Sequence, residues 1–134
     1  LKRFAADYEV GRREPLLPVT DHVKKEKVAV IGAGPAGVTC AIELRRSGYG
    51  VTVFDANEQP GGMLFAGVPA YRLPRDVLAR EFSMAAKMGV ELRCNTKVGR
   101  DISLDDVFTS YNATFIASGA HGRRKLGPSG KSVT

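Results

Sequence analysis

Cysteine and histidine are scarce in this sequence, with two of each among its 134 residues. Cys40 and Cys94 have no Cys-x-x-Cys or Cys/His spacing around them, which excludes a zinc site or an iron–sulfur cluster built from them. We interpret both as buried, reduced thiols, because the pattern gives no support to a disulfide. His22 and His121 are interpreted as surface histidines. The sequence therefore predicts neither a metal site nor a catalytic side chain.

Long apolar runs and the apolar core of a signal peptide are absent as well. Gly, Arg or Asp interrupts the longest apolar stretches well before the roughly 20 apolar residues that a helix needs to cross a bilayer. We therefore expect no membrane contact and a cytoplasmic location. The hydrophobic share of 43% and the charged share of 25% are typical of a globular domain rather than a disordered chain.

Basic residues interleaved with aromatic ones, the pattern of a nucleic-acid surface, are also missing. The net charge is +6 and the pI is near 9.6, yet the basic residues are scattered over predicted tails, helix surfaces and loops. The densest run is Arg123-Arg124-Lys125. We interpret these side chains as solvated surface or as a docking surface for an acidic partner, and we expect no nucleic-acid binding.

What the sequence does contain is a β-strand, a helix and a second strand in close succession. The β-branched run 27–31 predicts a buried first strand, and the glycine turn 32–34 follows it. Pro35 suits the first position of a helix, and apolar residues recur with helical spacing until Ser47-Gly48. Residues 51–54 predict the second strand. Together these elements fit one right-handed βαβ unit.

The rest of the chain predicts further helices and strands of an open parallel sheet. Residues 56–75 read as a loop, and Ser103 with Asp106 resembles a capping box. The remaining predicted elements are a helix capped by Asp76 and ending at Lys87 or Met88, a strand over 90–94, a short helix from Ser103 to about Tyr111, and a buried strand over 113–117. The predicted fold class is therefore α/β, a Rossmann-like open parallel sheet with flanking helices.

The glycine turn carries a dinucleotide-binding fingerprint, Gly32-x-Gly34-x-x-Gly37, between the first strand and its helix. The first glycine allows the tight turn, the second admits a pyrophosphate to the backbone, and the third lets helix and strand pack closely. Asp55 ends the second strand, where a carboxylate accepts hydrogen bonds from ribose hydroxyls and repels a 2′-phosphate. This favours NAD or FAD over NADP. The alternative is a ligand-free glycine turn with a chance carboxylate.

A second glycine pair, Gly61-Gly62, follows Asp55 in the stretch 55–62. It resembles the fingerprint of two-dinucleotide-domain flavoproteins, in which a paired glycine brings the backbone near the FAD pyrophosphate. Read by itself, the stretch is also compatible with an ordinary Pro-Gly-Gly turn. The combination with the first fingerprint favours FAD.

Beyond Gly62 the sequence resembles the FAD-domain segment of the glutamate synthase small-subunit family, which includes the flavin part of dihydropyrimidine dehydrogenase. The most specific motif of this resemblance is the stretch 67–74, Gly-x-Pro-x-Tyr-Arg-Leu-Pro. The resemblance covers about 27–130. Even the segment 1–8 resembles the exit from the iron–sulfur domain of that family. We accordingly divide the chain into an N-terminal arm or linker (1–26), an incomplete FAD-binding Rossmann-like domain (27–130) and a tail (131–134).

Fingerprint and resemblance together give a set of candidate cofactor-binding residues. The resemblance implies that Arg72 donates hydrogen bonds to an FAD phosphate or a flavin carbonyl, with a surface salt bridge as the alternative. It also implies that Val98 lies beside the adenine through its backbone. The candidates are Gly32, Ala33, Gly34, Pro35, Ala36, Gly37, Asp55, Ala56, Asn57, Gly61, Gly62, Met63, Arg72, Val98, Ala117, Ser118 and Gly119.

The resemblance implies a flow of electrons between NAD(P)H, FAD and iron–sulfur clusters. The iron–sulfur domain or subunit and the NAD(P)H-binding domain would be supplied elsewhere, because this sequence contains one fingerprint and no cluster of cysteines. We expect a fragment or a reduced module, whose protein groups place a flavin that performs the redox step. Two alternatives stay open. One is an NAD-binding Rossmann module without flavin, and the other is a non-catalytic assembly or regulatory piece with an incomplete nucleotide site.

Overall fold

The structure, a computed structural model, describes residues 1, 4, 8, 20 and 22–120. His121, the predicted domain end at 130 and the tail lie outside the described residues. Over 22–120 the chain forms, in order, β1 (Lys27–Ile31), α1 (Pro35–Arg46), β2 (Gly50–Phe54), α2 (Met63–Ala66), α3 (Arg75–Lys87), β3 (Glu91–Arg93), α4 (Leu104–Ser110) and β4 (Ala113–Ile116). None of the helices among the described residues is long and apolar enough to cross a membrane.

The four strands form one parallel sheet in the order β3-β2-β1-β4. At the centre of the sheet, Val30 of β1 is paired with Val53 of β2 on one side and with Phe115 of β4 on the other. Strands that are consecutive in the chain are joined by helical crossovers, which is the connection that parallel strands require. The predicted Rossmann-like parallel sheet is confirmed.

Alternate residues of the central strands pack on opposite faces of the sheet. On one face, Val30 and Val53 pack with the apolar sides of α1 and α3, including Ala41 and Phe82. On the other face, Ala29, Phe54 and Val107 of α4 form a second cluster. Because side chains alternate along a strand, both faces of the sheet carry apolar side chains, and helices must cover both faces. The helices thus fix the sheet from both sides and leave its carboxyl-terminal edge free for a site.

The helix starts agree only in part with the prediction. Ser103 caps α4 as predicted, since its hydroxyl accepts from the Asp106 N–H at 3.0 Å and donates to the Asp106 carboxylate at 2.6 Å. The prediction that Asp76 caps α3 is wrong. That helix begins at Arg75, two residues before the start that an Asp76 cap implies. Its cap residue is Pro74, whose φ of −56° and ψ of 139° end the extended segment without a side-chain cap. Asp76 lies in the first turn, where a carboxylate interacts favourably with the helix dipole.

Three further expectations need correction. The predicted loop 56–75 contains the single turn α2, stabilised by N–H groups of Phe65 and Ala66 that donate to the Gly62 carbonyl. The predicted buried strand β4 lies at an edge of the described sheet, with Phe115 41% and Ile116 59% exposed. β3 is shorter than the predicted 90–94, because only Glu91–Arg93 pairs with β2.

The two cysteines are free thiols that are half-buried rather than fully buried. Burial raises the pKa of the Cys40 thiol, and burial together with the Asp55 charge raises the pKa of the Cys94 thiol. Both effects disfavour the reactive thiolate. His22 is exposed, as predicted.

Candidate dinucleotide-binding site

A cavity of about 450 Å³ opens where β1, β2 and β4 end. This is the carboxyl edge of the parallel sheet, at which open α/β folds bind their ligands. Most of the residues predicted from the sequence line it: Gly32, Gly34, Pro35, Ala36, Asp55, Ala56, Asn57, Gly62, Met63, Val98, Ala117, Ser118 and Gly119. Ala33, Gly37 and Gly61 lie directly behind this lining, as their contacts below show.

The three glycines of the first turn have different environments. A Cβ at Gly32 would lie 2.3 Å from the Ala117 carbonyl oxygen, and one at Gly37 would lie 1.9 Å from the Gly32 oxygen. These two glycines are therefore required by packing between strand ends and α1. A Cβ at Gly34 would have no heavy atom within 4 Å. Protein packing therefore does not explain why this position is glycine. Gly34 lines the cavity, so a side chain here would point into space that a ligand can occupy.

The N-terminus of α1 faces the same cavity. Gly34 is its cap residue, and no side chain makes a capping hydrogen bond there. Pro35 occupies the start of the helix, and the first turn contains no acidic residue. The first N–H groups of a helix have no partner within the helix, and its dipole favours an anion at this end. The arrangement thus suits a phosphate group.

The second glycine pair packs against the first turn. The Gly61 N–H donates to the Ala33 carbonyl oxygen at 2.8 Å. A Cβ on Gly62 would approach the Gly34 Cα to 3.2 Å, and both paired glycines have positive φ, +127° and +50°. Side chains at either position would be strained. Two segments separated by almost thirty residues in sequence therefore form one continuous backbone wall of the cavity.

Asp55 is a buried carboxylate that joins the two loops beside this wall. Its Oδ2 accepts from the Ala33 N–H at 2.6 Å, and its Oδ1 accepts from the Asn57 N–H at 2.8 Å and the Asn57 Nδ2 at 2.9 Å. An ionised carboxylate offers about four acceptor positions. These contacts use three of them, so Asp55 orders both loops and still has acceptor capacity at Oδ2 for a ligand hydroxyl.

Five lining residues were not among the sequence candidates, and two of them are polar. Thr96 and Lys97 follow β3, and the Thr96 N–H donates to the Asp55 carbonyl at 2.8 Å. The signal that would have found them is their position after a strand, since the carboxyl ends of neighbouring parallel strands share one edge. The complete set is Ile31, Phe54, Thr96, Lys97 and Ala120.

The loop that carries Thr96 and Lys97 is ordered by a carboxylate of its own. Asp101 Oδ2 accepts from the Lys97 N–H at 2.8 Å, and Arg100 pairs with the same carboxylate. The Arg100 hydrogen bond, followed by the backbone hydrogen bond from Lys97, lowers the pKa of Asp101 to about 2. Beneath the loop, Val98 and Ile102 pack against the cluster around Phe54.

The structure does not bring Arg72 to the cavity. Its side chain is exposed, and its backbone N–H closes a turn by donating to the Pro69 carbonyl at 2.9 Å. Within 22–120, no group of three His, Cys, Asp or Glu side chains lies close enough to hold a metal ion. The lining offers groups suited to binding: backbone amides, one buried carboxylate, apolar surface and the polar side chains of Asn57, Thr96, Lys97 and Ser118.

A parallel sheet with a glycine turn, an uncapped helix and a strand-end carboxylate defines a Rossmann-like nucleotide-binding domain. The profile of the NAD(P)-binding Rossmann-like domain family matches residues 30–79. This range contains the first fingerprint, Asp55 and the second glycine pair.

Curated relatives assign the chain more narrowly. It is 43% identical to the beta subunit of the NADP(+)-dependent formate dehydrogenase of Moorella thermoacetica, over 98% of this chain and 22% of the relative. It is 41% identical to the small chain of the NADPH glutamate synthase of Escherichia coli, over 90% of this chain and 26% of the relative. The resemblance to the glutamate synthase small-subunit family is confirmed, and over the matched segment the chain belongs to it. The chain spans about a quarter of the length of these relatives or less.

Solved structures agree on the fold. FprA of Mycobacterium tuberculosis in complex with NADPH superposes with a TM-score of 0.70, over 77% of this chain and 24% of that chain, at 21% identity. A 2-naphthoyl-CoA reductase complex superposes with a TM-score of 0.62, over 86% of this chain and 17% of that chain, at 27% identity. The described fold thus recurs as one part of longer chains.

Proposed function

We propose that this chain is the FAD-binding portion of an NAD(P)H-dependent oxidoreductase and contributes the half of the domain that binds the ADP moiety. The observation that carries the proposal is the backbone wall in which Gly62 packs on Gly34 beside the uncapped N-terminus of α1. A single glycine turn suits any dinucleotide. The second glycine pair, packed against it, is the feature that favours FAD over NAD.

Each part of a dinucleotide would contact its own group of cavity residues. Amides at the start of α1 and the backbone at Gly34 and Gly62 would receive the pyrophosphate. Asp55 would accept from a ribose hydroxyl through its remaining acceptor position. By resemblance to the family, the backbone at Val98 would lie beside the adenine. The flavin, when bound, supplies the hydride and electron chemistry, and this chain supplies binding and orientation.

The names of the relatives support the redox part of the proposal. The formate dehydrogenase and glutamate synthase subunits are described as NADP- or NADPH-dependent, and a further relative at 40% identity is the beta subunit of an NADPH-Fe(3+) oxidoreductase from Geobacter sulfurreducens. We infer that electrons pass between nicotinamide, FAD and iron–sulfur partners, with the nicotinamide and cluster domains outside this chain. A cytoplasmic location belongs to the same proposal.

One observation favours a second candidate, an NAD-binding module without flavin. The matching family profile is described as NAD(P)-binding, and a ribose-binding carboxylate at the end of the second strand is also typical of NAD sites. Under this alternative the Gly61-Gly62 pair would shape the wall without meeting a flavin dinucleotide.

Ligand uptake by the purified chain separates the candidates. We expect the chain to retain the yellow absorption of FAD after incubation and desalting, and FAD to raise its melting temperature because the ligand binds only the folded state. NAD at the same concentration serves as the comparison. Stabilisation by NAD with no uptake of FAD would establish the second candidate instead. If the chain responds to neither dinucleotide, both candidate functions are contradicted, and the non-catalytic assembly or regulatory role is the alternative left.

A further inference from the structure

Arg75 is the first residue of α3, a position at which a positive charge opposes the helix dipole. Acidic residues stabilise this end of a helix, and one of them, Asp76, follows Arg75 in the same turn. The location of the guanidinium is therefore not explained by the stability of α3. Its contacts lie outside that helix.

The guanidinium of Arg75 contacts three residues of the segment 63–68. Nη1 donates to the Leu64 carbonyl at 3.2 Å, and Nη2 donates to the Val68 carbonyl at 2.9 Å. The guanidinium carbon also lies 4.8 Å from the centre of the Phe65 ring. Leu64 belongs to the one-turn helix α2, whose carbonyls have no partners in a regular ladder, and Val68 lies just beyond the end of that helix. A planar fork of this kind cannot be reproduced by lysine.

The same segment is bonded directly to the second glycine pair. The Leu64 N–H donates to the Gly61 carbonyl at 3.0 Å, and the Phe65 N–H donates to the Gly62 carbonyl at 3.1 Å. Gly62 and Met63 line the cavity. One end of the segment thus forms the cavity wall, and its other end is held by Arg75.

We propose that Arg75 is a positioning residue that fixes the 63–68 segment and thereby holds Gly62 against Gly34 in the geometry that receives the dinucleotide, an inference which rests on the proposed function. Arg75 itself lies outside the lining of the cavity. It acts through the backbone carbonyls that it binds and through the Phe65 ring. Without it, the segment that follows the glycine pair loses two hydrogen bonds and a ring contact from α3.

Three variants test this role: Arg75→Gln, Arg75→Lys and Arg80→Gln. Arg80→Gln is the matched control, because it removes the same charge from another face of the same helix. We expect the dissociation constant for FAD to rise about tenfold or more in Arg75→Gln, the scale of one lost charge-assisted hydrogen bond, and to change less than about twofold in the control. Arg75→Lys is expected to behave like Arg75→Gln, because it retains the charge and loses the fork. Flavin fluorescence reports the binding, and the chain contains no tryptophan to interfere.

A ligand-free measurement separates this inference from the proposed function. Amide hydrogen exchange over residues 61–68 is expected to become faster in both Arg75 variants, while exchange in β1 and β2 stays at the level of the unmodified chain. Unchanged exchange over 61–68 would overturn the positioning role whatever the result with FAD. Equal FAD affinity in Arg75→Gln and the unmodified chain would also overturn it. If the unmodified chain takes up no FAD, the proposed function fails, and the exchange comparison alone decides whether Arg75 orders the wall.

Discussion

At the scale of single residues, Asp55 has a structural task that the sequence did not suggest, beside the ribose contact that we propose for it. The fingerprint predicted a ribose-binding carboxylate from its position after the second strand. The structure shows that the same carboxylate accepts from the amides of Ala33 and Asn57 and so joins two loops of the cavity. Such contacts depend on segments that meet only in the folded chain, which is why the sequence pattern did not reveal them.

The structural task of Asp55 is open to a test without any cofactor. We expect Asp55→Ala to lower the free energy of unfolding by about 1–3 kcal/mol, because the buried Ala33 amide loses its acceptor. Urea unfolding of the ligand-free chain measures this loss. Glu58→Ala is the control, an exposed carboxylate in the same loop whose removal should change stability by less than about 0.5 kcal/mol. Equal stabilities of the two variants would show that the backbone alone orders the loops.

Arg72 and Arg75 illustrate how little a residue type says about its partner. Both arginines belong to one loop-to-helix segment, and the family resemblance selected Arg72 as the cofactor contact. In the structure, Arg72 is exposed away from the cavity, whereas Arg75 binds two carbonyls of the segment behind its wall. The direction of a long side chain depends on where the helix begins, and the predicted cap at Asp76 was two residues late.

At the scale of elements, local pattern predicted the βαβ unit well. β1, α1 and β2 have strong periodicity and glycine boundaries, so their predicted ends agree with the structure to within a residue. β4 was expected to be buried because it is apolar, yet burial depends on what lies beside a strand, and β4 is an edge strand of the described sheet. The single turn α2 was missed because it is too short to show a helical periodicity. It is held by hydrogen bonds to the Gly62 carbonyl, which the sequence pattern does not reveal.

The loop from Thr96 to Ile102 provides a prediction for acid conditions. The pKa of Asp101 is lowered from 3.8 to about 2 by Arg100 and by the Lys97 amide. A carboxylate with a lowered pKa in the folded state stabilises the fold above its unfolded pKa and loses that contribution as the pH falls through the folded value. We therefore expect Asp101→Asn to reduce the fall in melting temperature between about pH 4 and pH 2.

The matched control for this loop is Asp105→Asn, in the first turn of α4. Melting curves of the unmodified chain and both variants over the same pH range provide the comparison. Asp101→Asn keeps part of the acid dependence through other carboxylates, among them Glu91, whose pKa is lowered chiefly by its hydrogen bonds from Thr52 and Arg93. If Asp101→Asn and the unmodified chain lose stability in parallel, the Asp101 contacts do not order the loop.

At the scale of the whole molecule, the site consists of strand ends distributed over most of the domain. Gly32, Asp55, Thr96 and Ala117 follow four different strands, and the parallel sheet brings them to one edge. The fingerprint predicted the first and second positions, and the family resemblance implied the fourth. The third was missed because the residues after the predicted strand 90–94 match no fingerprint. In the curated relatives, the matched segment is about a quarter of the chain or less.

The central claim is that the cavity holds a dinucleotide against the backbone at Gly34, and FAD titration of Gly34→Ala tests it most directly. Gly34 has φ −76° and ψ 179°, which alanine adopts without strain, and its Cβ would meet no protein atom within 4 Å. Gly50→Ala is the control, since its Cβ would approach only Lys27 Cγ, at 3.4 Å, and the Glu26 carbonyl, at 3.9 Å. We predict an unchanged melting temperature for Gly34→Ala without ligand and a dissociation constant for FAD that is about tenfold higher or more, because the added methyl group occupies the path of the pyrophosphate. FAD binding by Gly34→Ala as tight as that of Gly50→Ala and the unmodified chain would contradict the account.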